Sequence, residues 1–451
     1  MRRRLLLAFL LASVSCAWAA GKIFPYAYVQ EDLPNGLRLV TIPTDFPNIV
    51  SLYIVVGAGS RNEVEPGKTG YAHLFEHLMF RGTAEYPPEK YNATLKTAGA
   101  ASNAFTTADF TAYHTTFSKE DLPVILSMEA DRFQHLDYPE ADFKTETLAV
   151  LGEYNKDSAD PFSKLFEELC ATAFRVHTYG HTTMGFLKDV QAMPEGYQYG
   201  KDFFSRYYRP EYTTIIVAGD IDPKRVRALI DERWGNWKRG SFHAQIPAEP
   251  PQDGPRRAHV DWPSETLPLL TVDWRGPAYS DDTMDTVALD AISRLGFDQN
   301  SPLYQKLVVD EQKVDYLSAG PPNNLDPQFF GVSARVKDAK DLASVEEQIK
   351  TTARSFAEKP VDPKKLEALK QHLRYEFALQ LDNSESIAAT VAQYVALRRT
   401  PETMNRYYDM SAKLTPADIQ RVAKKVLIDR NLDVVTLTST VPAAATKGAA
   451  Q

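Results

Sequence analysis

Both halves of the chain end in the same order of elements: a helix, a short turn that contains an arginine, and an apolar strand. In the first half the turn contains Arg209 and the strand spans 213–218. In the second half the turn contains Arg430 and the strand spans 432–437. A proline-rich stretch, residues 239–258, separates the halves and is predicted to be a linker. The pattern predicts a duplicated domain of about 200 residues, although two common αβ units could share it by coincidence.

The first half mixes strands and helices in an irregular order. Apolar or alternating runs predict strands at 37–41, 50–56, 102–106 and 110–117, a buried helix at 69–80, and further helices at 119–134, 140–155 and 161–174. This order favours an α+β fold over a doubly wound parallel sheet. The predicted organisation is a first domain at 21–238, the linker, a second homologous domain at 259–440, and a disordered tail at 441–451.

The charge balance limits the partners of this chain. Its formal net charge is -8, from 51 basic and 59 acidic residues. The loss of Arg2, Arg3 and Arg4 with a cleaved leader would make it -11. A surface this acidic repels polyphosphates, so we expect no nucleic-acid binding.

The N-terminus has the features of a signal peptide. Three arginines precede an apolar run from Leu5 to Val14, and small residues follow at Ala17 and Ala19. The run is shorter than the ~20 residues of a membrane-spanning helix. Residues 1–20 are therefore predicted to be cleaved, and the mature chain to be periplasmic or secreted, without a membrane span.

Two alternatives to cleavage are an anchoring helix and a lipidated Cys16. Ser13 stands where a lipidation signal would have an aliphatic residue, which disfavours lipidation. Cleavage leaves Cys170 as the lone thiol, so we expect no internal disulfide and a fold that depends on its hydrophobic cores.

The sequence HLFEH at 73–77 has the spacing of a zinc site. In a helix, His73 and His77 lie one turn apart on one face, and Glu76 lies near that face. Two neutral imidazoles can bind one zinc ion, and a catalytic site adds about one more protein ligand and leaves a position for water. Glu76 is placed to accept a proton from that water. The alternative is a pair of helix-face histidines bonded to neighbouring carboxylates.

A third ligand must come from elsewhere in the chain. The predicted helix at 140–155 offers Glu146 and Glu153, which lie two helical turns apart and can face the same site. Acidic residues on a helix face are usually just solvated, and the spacing alone does not choose between the two.

Three segments resemble the zinc peptidases with the inverted motif, the family that includes pitrilysin, insulysin and mitochondrial processing peptidase. HLFEHLMFRGT, from His73, is similar to the metal-binding helix of the family and the turn after it. SNAFTTADFTAYHTTF, from Ser102, is similar to its substrate-side strand pair, and ETLAVLGEYNKD, from Glu146, to the helix with its third ligand. The resemblance covers roughly residues 25–440 and is strongest in the first half.

The resemblance implies both site roles and a fold. Glu153, which lies 76 residues after His77, takes the place of the third ligand of one zinc ion per chain. Glu146 takes that of a carboxylate that orients a ligand. The implied fold is α+β, with two homologous mixed domains in tandem that enclose half of a peptidase chamber. The domain at 21–238 is then the zinc-binding catalytic domain.

Asn103 and Phe105 match the strand along whose edge family members bind an extended peptide through backbone hydrogen bonds. The simpler interpretation is that Asn103 ends a strand and Phe105 belongs to the core. His177 and His181 are also four residues apart, but Gly180 argues against a regular helix there and the similar loop of the family holds no metal. We expect a structural role for this histidine pair.

The second half departs from the family pattern at Val309. Family members that supply the whole site in one polypeptide carry an arginine at this position and a tyrosine seven residues later, and both contact the substrate. Here only the tyrosine, Tyr316, is present. Because valine cannot donate to a carbonyl, we expect a heterodimer with a related chain that supplies an arginine and a tyrosine. A homodimer is the alternative.

The motif and the resemblance together predict an exported zinc metalloendopeptidase that hydrolyses extended peptides, with Glu76 as general base and His73, His77 and Glu153 as ligands. The alternative from another class is a non-catalytic peptide-binding or assembly subunit of the same fold. Such relatives have usually lost motif residues, whereas all four are present here.

Overall fold

A computed structural model of this protein describes residues 22–441. The predicted signal peptide, with Cys16, and the predicted tail beyond Val441 lie outside the described residues. Cys170 is buried and forms no disulfide bond with any of residues 22–441. In the same part of the chain, no helix is both long enough and apolar enough to cross a membrane.

The two halves contain the following helices and strands. The first half runs β1 (Val29–Asp32), β2 (Arg38–Pro43), β3 (Ile49–Val56), α1 (Tyr71–Leu78), α2 (Pro88–Thr97), β4 (Ala101–Thr106), β5 (Thr111–Ser118), α3 (Leu122–His135), α4 (Glu140–Asp157), α5 (Pro161–Ala173), α6 (Leu187–Ala192), α7 (Tyr197–Tyr207), β6 (Thr213–Gly219) and α8 (Pro223–Trp234). The second runs β7 (Arg256–Trp262), β8 (Leu269–Arg275), α9 (Asp285–Phe297), α10 (Pro302–Tyr304) continued by a π-helical segment (Gln305–Asp310), β9 (Val314–Gly320), β10 (Phe329–Val336), α11 (Leu342–Glu358), α12 (Pro363–Leu379), α13 (Ser384–Arg398), α14 (Glu402–Lys413), α15 (Pro416–Val426) and β11 (Leu432–Ser439).

Each half contains one mixed sheet, and the two sheets have the same topology. The first has the strand order β1-β2-β6-β3-β5-β4 and the second β7-β11-β8-β10-β9. The pair β2/β6 is parallel, as is β7/β11, and the strand pairs beyond them are antiparallel in both sheets. Five strands of the first sheet therefore correspond one to one with the five strands of the second sheet. The predicted duplication of an α+β domain is confirmed.

The helix and linker boundaries differ slightly from the prediction. Helix α1 begins at Tyr71 instead of residue 69, because Gly70 has a φ of +89° and so cannot continue a right-handed helix. The last two residues of the predicted helix belong to a 3-10 helix, Met79–Arg81, that follows α1. Strand β7 begins at Arg256, so the last three residues of the predicted linker belong to the second sheet.

A helix from the second half covers the outer face of the first sheet. The other face packs against the helices of its own half, among them α1, α3 and α7. On the outer face, Val40, Tyr53 and Ile216 of the sheet form one buried cluster with Ile387 and Val391 of α13. The first sheet therefore loses water on both faces only when the second half is folded.

The second sheet depends on the first half in the same way, because helix α5 of the first half covers one of its faces. Leu165, Leu169 and Cys170 of α5 form a buried cluster with Leu269 of β8 and Val435 of β11. The opposite face packs on the helices of the second half. Each half thus completes the core of the other, and the two domains should unfold as one cooperative unit.

Substitution of Ile387 tests this cooperativity. The side chain is 0% exposed, so Ile387→Ala should lower the free energy of unfolding by about 2–5 kcal/mol. The matched control is Leu379→Ala at a site that is 59% exposed, where we expect little change. Hydrogen exchange should also speed up in β3, which is more than 300 residues away in sequence. Faster exchange confined to the second half would contradict the reciprocal packing.

Candidate active site

Helix α1 presents His73, Glu76 and His77 at the inner side of the first sheet. Its other residues, including Leu74, Phe75 and Leu78, are fully buried in the core of the first half. This packing fixes the rotation of the helix, since its apolar residues can face only the core. The spacing of the three polar residues then places them on the remaining face, as the sequence predicts.

The N-terminus of α1 is held by Glu63, a residue that the sequence analysis did not single out. Its carboxylate accepts hydrogen bonds from the backbone N–H of Gly70, at 2.8 Å, and of Ala72, at 2.7 Å. An acid at this end of a helix satisfies free N–H groups and complements the helix dipole. Burial raises the pKa of Glu63 to about 8, and the backbone hydrogen bonds oppose that rise. Glu63 therefore caps the N-terminus of the histidine-bearing helix.

The structure brings His73, His77 and Glu153 together. Glu153 Oε2 lies 3.6 Å from His73 Nε2 and 3.4 Å from His77 Nε2. One donor atom from each of the three residues lies within 4.8 Å of the others. Among residues 22–441, this is the one group of three such side chains with the proximity that a metal ion requires.

The donor set and its spacing fit zinc. Two ligand atoms at about 2.0–2.1 Å from a tetrahedral zinc ion are separated by about 3.3 Å, close to the observed imidazole–carboxylate distances. Two imidazoles and one carboxylate also leave a fourth position free, the composition of a catalytic rather than a structural site. Burial, and after it the neighbouring His77, lowers the pKa of His73, which favours the neutral imidazole that a metal needs.

Glu146 lies behind His77 rather than in the triad. Its Oε2 is 3.3 Å from Nδ1 of His77, and its Oε1 is bonded to Arg81. This hydrogen bond to the ring nitrogen that faces away from Glu153 can fix the tautomer and orientation of His77. Glu146 is buried, so Arg81 also supplies the positive charge that a buried carboxylate requires.

Glu76 is oriented by the neighbouring strand β4. Thr106 Oγ1 donates a hydrogen bond of 2.7 Å to Glu76 Oε2. Burial raises the pKa of Glu76, and the Thr106 hydrogen bond partly opposes that rise. Thr106 is a site residue that the sequence analysis missed, because a threonine in a strand carries no local signal of such a contact.

Asn103 and Phe105 lie on β4, which is one of the two edge strands of the first sheet. Asn103 is exposed, and its Oδ1 accepts a 2.9 Å hydrogen bond from the N–H of Ala104. Phe105 is partly buried and packs edge-on against Phe110, next to the cluster that α13 covers. Strand β4 is thus linked to the triad helix through Thr106, with its outer edge unpaired by any described strand.

Tyr316 and Val309 lie in the second half and are both partly exposed. Tyr316, at 43% exposure, is on the edge strand β9 and makes an edge-on contact with Phe162 of α5, the helix that follows the one with Glu153. Val309, at 50% exposure, is in the π-helical segment before β9. Neither residue belongs to the three-residue cluster.

His177 and His181 have other partners. Nδ1 of His177 accepts from the N–H of Tyr179, and Nε2 is 3.0 Å from Asp326 of the second half. His181 Nδ1 bonds to the carbonyl of Thr182. His177 thus takes part in the packing between the halves, and His181 bonds within its own loop.

Comparison with known proteins gives matches along most of the chain. Residues 38–186 match the family model described as "Insulinase (Peptidase family M16)", and residues 198–373 match "Peptidase M16 inactive domain". A relative named "Zinc protease PqqE", from Helicobacter pylori, is 28% identical over 415 residues, which cover 90% of this chain and 91% of the relative.

Solved structures share the whole fold. "The crystal structure of a protease from Helicobacter pylori" superposes with a TM-score of 0.86 at 26% identity, over 92% of this chain and 99% of that one. "The crystal structure of the periplasmic protease PqqL from Escherichia coli" superposes with a TM-score of 0.73 at 17% identity. That match covers 91% of this chain but 47% of PqqL, so PqqL is about twice as long.

The role of Glu153 can be tested by metal retention. Glu153→Gln should weaken zinc binding by more than the about 10–100-fold typical of a residue that only orients a ligand. The measurement is bound zinc per chain after dialysis against a mild chelator. Glu140→Gln, on the same helix and exposed, is the matched control. Unchanged zinc in the Glu153 variant would move the third ligand to Glu146 or elsewhere.

Proposed function

Because this chain belongs to peptidase family M16, we propose that it is an exported zinc metalloendopeptidase that hydrolyses extended peptides. The observation that carries the proposal is the group of His73, His77 and Glu153, with the Glu76 carboxylate on the same helix face. Two imidazoles, a carboxylate ligand and a separate carboxylate base form the set that metal-assisted hydrolysis needs.

We assign the residues of the chain the following roles. His73, His77 and Glu153 bind one zinc ion, and Glu146 orients the ring of His77 through Nδ1. When bound, zinc would supply Lewis acidity, which activates a water molecule at neutral pH and polarises the peptide carbonyl. Glu76 takes the proton of the attacking water and returns it to the leaving amine, while Thr106 holds the carboxylate in the orientation that this transfer requires.

We propose that strand β4 binds the peptide backbone. Ala104 N–H donates to the side chain of Asn103, so an incoming carbonyl can replace that contact by strand addition. Such pairing requires a peptide whose own backbone groups are free, which favours extended or unfolded substrates over folded proteins. Phe105, in this proposal, contacts the bound peptide from the partly buried side of the strand.

The chain retains the features that separate an enzyme from a non-catalytic subunit of the same fold. The matched model for residues 198–373 is described as an inactive domain, and the HLFEH motif lies in the first half. His73, His77 and Glu153 lie close together there, with Glu76 on the same helix as the histidines, so a purely structural role for this chain is the weaker proposal.

We further propose export and a heterodimer. The N-terminal sequence has the pattern of a cleaved signal peptide, and the structural relative PqqL is titled a periplasmic protease. Two chains of this size match the length of PqqL, so a dimer can supply what PqqL carries in one chain. Val309 stands where one-chain members of the family carry an arginine, which makes a related partner chain with that arginine the preferred second subunit.

The general base can be tested without loss of the metal. Glu76→Gln keeps the shape of the side chain but cannot accept a proton, so it should retain zinc and reduce kcat by about 10²–10⁴-fold on a quenched-fluorescence peptide. Glu140→Gln again serves as the control and should match the wild type. If the Glu76 variant keeps more than about a tenth of wild-type kcat, the assigned role is wrong.

The heterodimer can be tested by addition of a partner. The zinc-loaded chain alone should have low activity, because a missing donor at a polarised carbonyl costs about 10²–10³-fold in kcat. Addition of the product of an adjacent homologous reading frame should restore that activity. Val309→Arg should raise the activity of the isolated chain. Full activity of the chain alone, unaffected by Tyr316→Phe or by the partner, would contradict a shared site.

A further inference from the structure

The second sheet contains an open trench on the face that α5 covers only in part. Register across the strands places Gly320 of β9 beside Gly331 of β10, and Gly331 beside Asp273 of β8. The neighbouring row contains Ser318, Ser333 and Thr271 in the same order. The two glycines and two serines of β9 and β10 have small side chains or none, so they form a low floor that runs from the sheet edge to Asp273.

The walls of this β9–β10 trench are apolar. They come from α5, through Phe162, Leu165, Phe166 and Leu169, and Tyr316 lies at the outer edge. The cavity has a volume of about 440 Å³. Two strand spacings separate β9 from β8, so the trench is about 10 Å long from the edge of the sheet to its inner end.

Asp273 closes the inner end of the trench and is 3% exposed. Thr271 Oγ1 donates a 2.6 Å hydrogen bond to its Oδ2. Its Oδ1 occupies the space above Gly331, where any larger side chain would collide with it. Within residues 22–441, no lysine, arginine or histidine side chain stabilises the negative charge of Asp273. Its carboxyl is therefore buried, turned towards a cavity, and uncompensated.

A second carboxyl lies next to Asp273 at this end of the trench. Asp433 lies directly opposite on β11. Unlike Asp273, it has partners of its own, because Gln252 Nε2 donates to it at 2.8 Å and Arg256 and Arg275 lie close enough to stabilise its charge. The site that lacks a counter-charge is thus the one that faces the trench.

We propose that the trench binds the cationic side chain of a lysine or arginine in the peptide substrate, with the aliphatic stem between α5 and the glycine floor and the charged group on Asp273. The inference rests on the proposed function in that it takes the ligand to be part of a peptide substrate. Tyr316 at the mouth of the trench links it to the proposed peptide site, since that tyrosine matches a substrate contact of the family.

The chemistry of the walls and floor selects this ligand. An apolar side chain would cover Asp273 Oδ1 and the Ser318 hydroxyl without offering either of them a hydrogen bond, and an anion would meet the uncompensated carboxyl of Asp273. A lysine or arginine satisfies both parts, because its stem packs on the phenylalanines and its head group donates to Asp273 and the hydroxyls. Burial raises the pKa of Asp273 well above its usual range, and a bound cation would favour its ionised form.

Binding to a zinc-loaded Glu76→Gln chain tests the proposal apart from hydrolysis. The probes are unstructured labelled peptides with a single lysine moved one position at a time, and a matching set with norleucine, which keeps the stem and removes the charge. At one position, lysine should bind about 10–100-fold more tightly than norleucine, the range for a hydrogen bond to a charged group. Asp273→Asn should remove this difference.

A second variant fills the trench without a change of charge. A Cβ atom at Gly320 meets no atom within 4 Å, so Gly320→Val should fold normally and also remove the preference for lysine. Gly254→Val, at another glycine with open space around it, is the matched control and should keep the preference. Thermal unfolding of each variant verifies the fold, and Gly320→Val alone decides the question if the Asp273 variant does not fold.

The outcomes separate this inference from the proposed function. A lysine preference that both variants remove supports binding in the trench. If the wild-type chain then hydrolyses no peptide, the proposed function fails and the binding site stands. Equal binding of the two peptide sets, or a preference that persists in both variants, overturns the inference. If the inference is overturned in either way and the wild-type chain still hydrolyses peptides, the proposed function stays intact.

Discussion

Each sheet of this protein depends on a helix from the other half of the chain to remove water from its second face. Helix α13 covers the first sheet, and α5 covers one face of the second. The buried apolar surface of both contacts stabilises the arrangement of the halves as well as each sheet. It also fixes the position of α5, which directly follows the helix that carries Glu153. The candidate site and the trench therefore depend on the same packing.

The helix with His73 and His77 is positioned by carboxylates at several points. Glu63 binds its N-terminus, Glu146 orients His77, and Glu153 approaches both histidines. Buried acids are costly unless they are paired, and the buried Glu63 and Glu146 have helix N–H groups and Arg81 as partners. The partly exposed Glu153 faces the two imidazoles. The cluster has the charge and the geometry for one divalent cation, which would reduce the repulsion between the Glu76 and Glu153 carboxylates.

The duplicated domains have taken on different chemistry at the same position of the fold. The edge strand β4 of the first sheet corresponds to β9 of the second. Strand β4 contacts Glu76 through Thr106, whereas β9 carries Tyr316 and the floor of a trench that ends at Asp273. Edge strands suit both roles, because they have backbone groups and side chains that no neighbouring strand covers. In our proposals, the two halves bind different parts of one peptide.

The sequence by itself determined the features that depend on local periodicity and spacing. The helix with His73, Glu76 and His77, the strand pair around β4, the helix with Glu146 and Glu153, and the α+β duplication all follow from patterns within short segments or from their repetition. The choice of Glu153 over Glu146 came from the family resemblance, and the structure places Glu153 beside both histidines. Only the tertiary structure decided that α13 covers the first sheet and α5 the second. It also decided the contacts of Glu63 and Thr106, and the burial of Asp273 at the end of a cavity. These features depend on which distant segments pack together, and a single glutamate, threonine or aspartate has the same local signal whether it is solvated or buried against a partner that is far away in sequence.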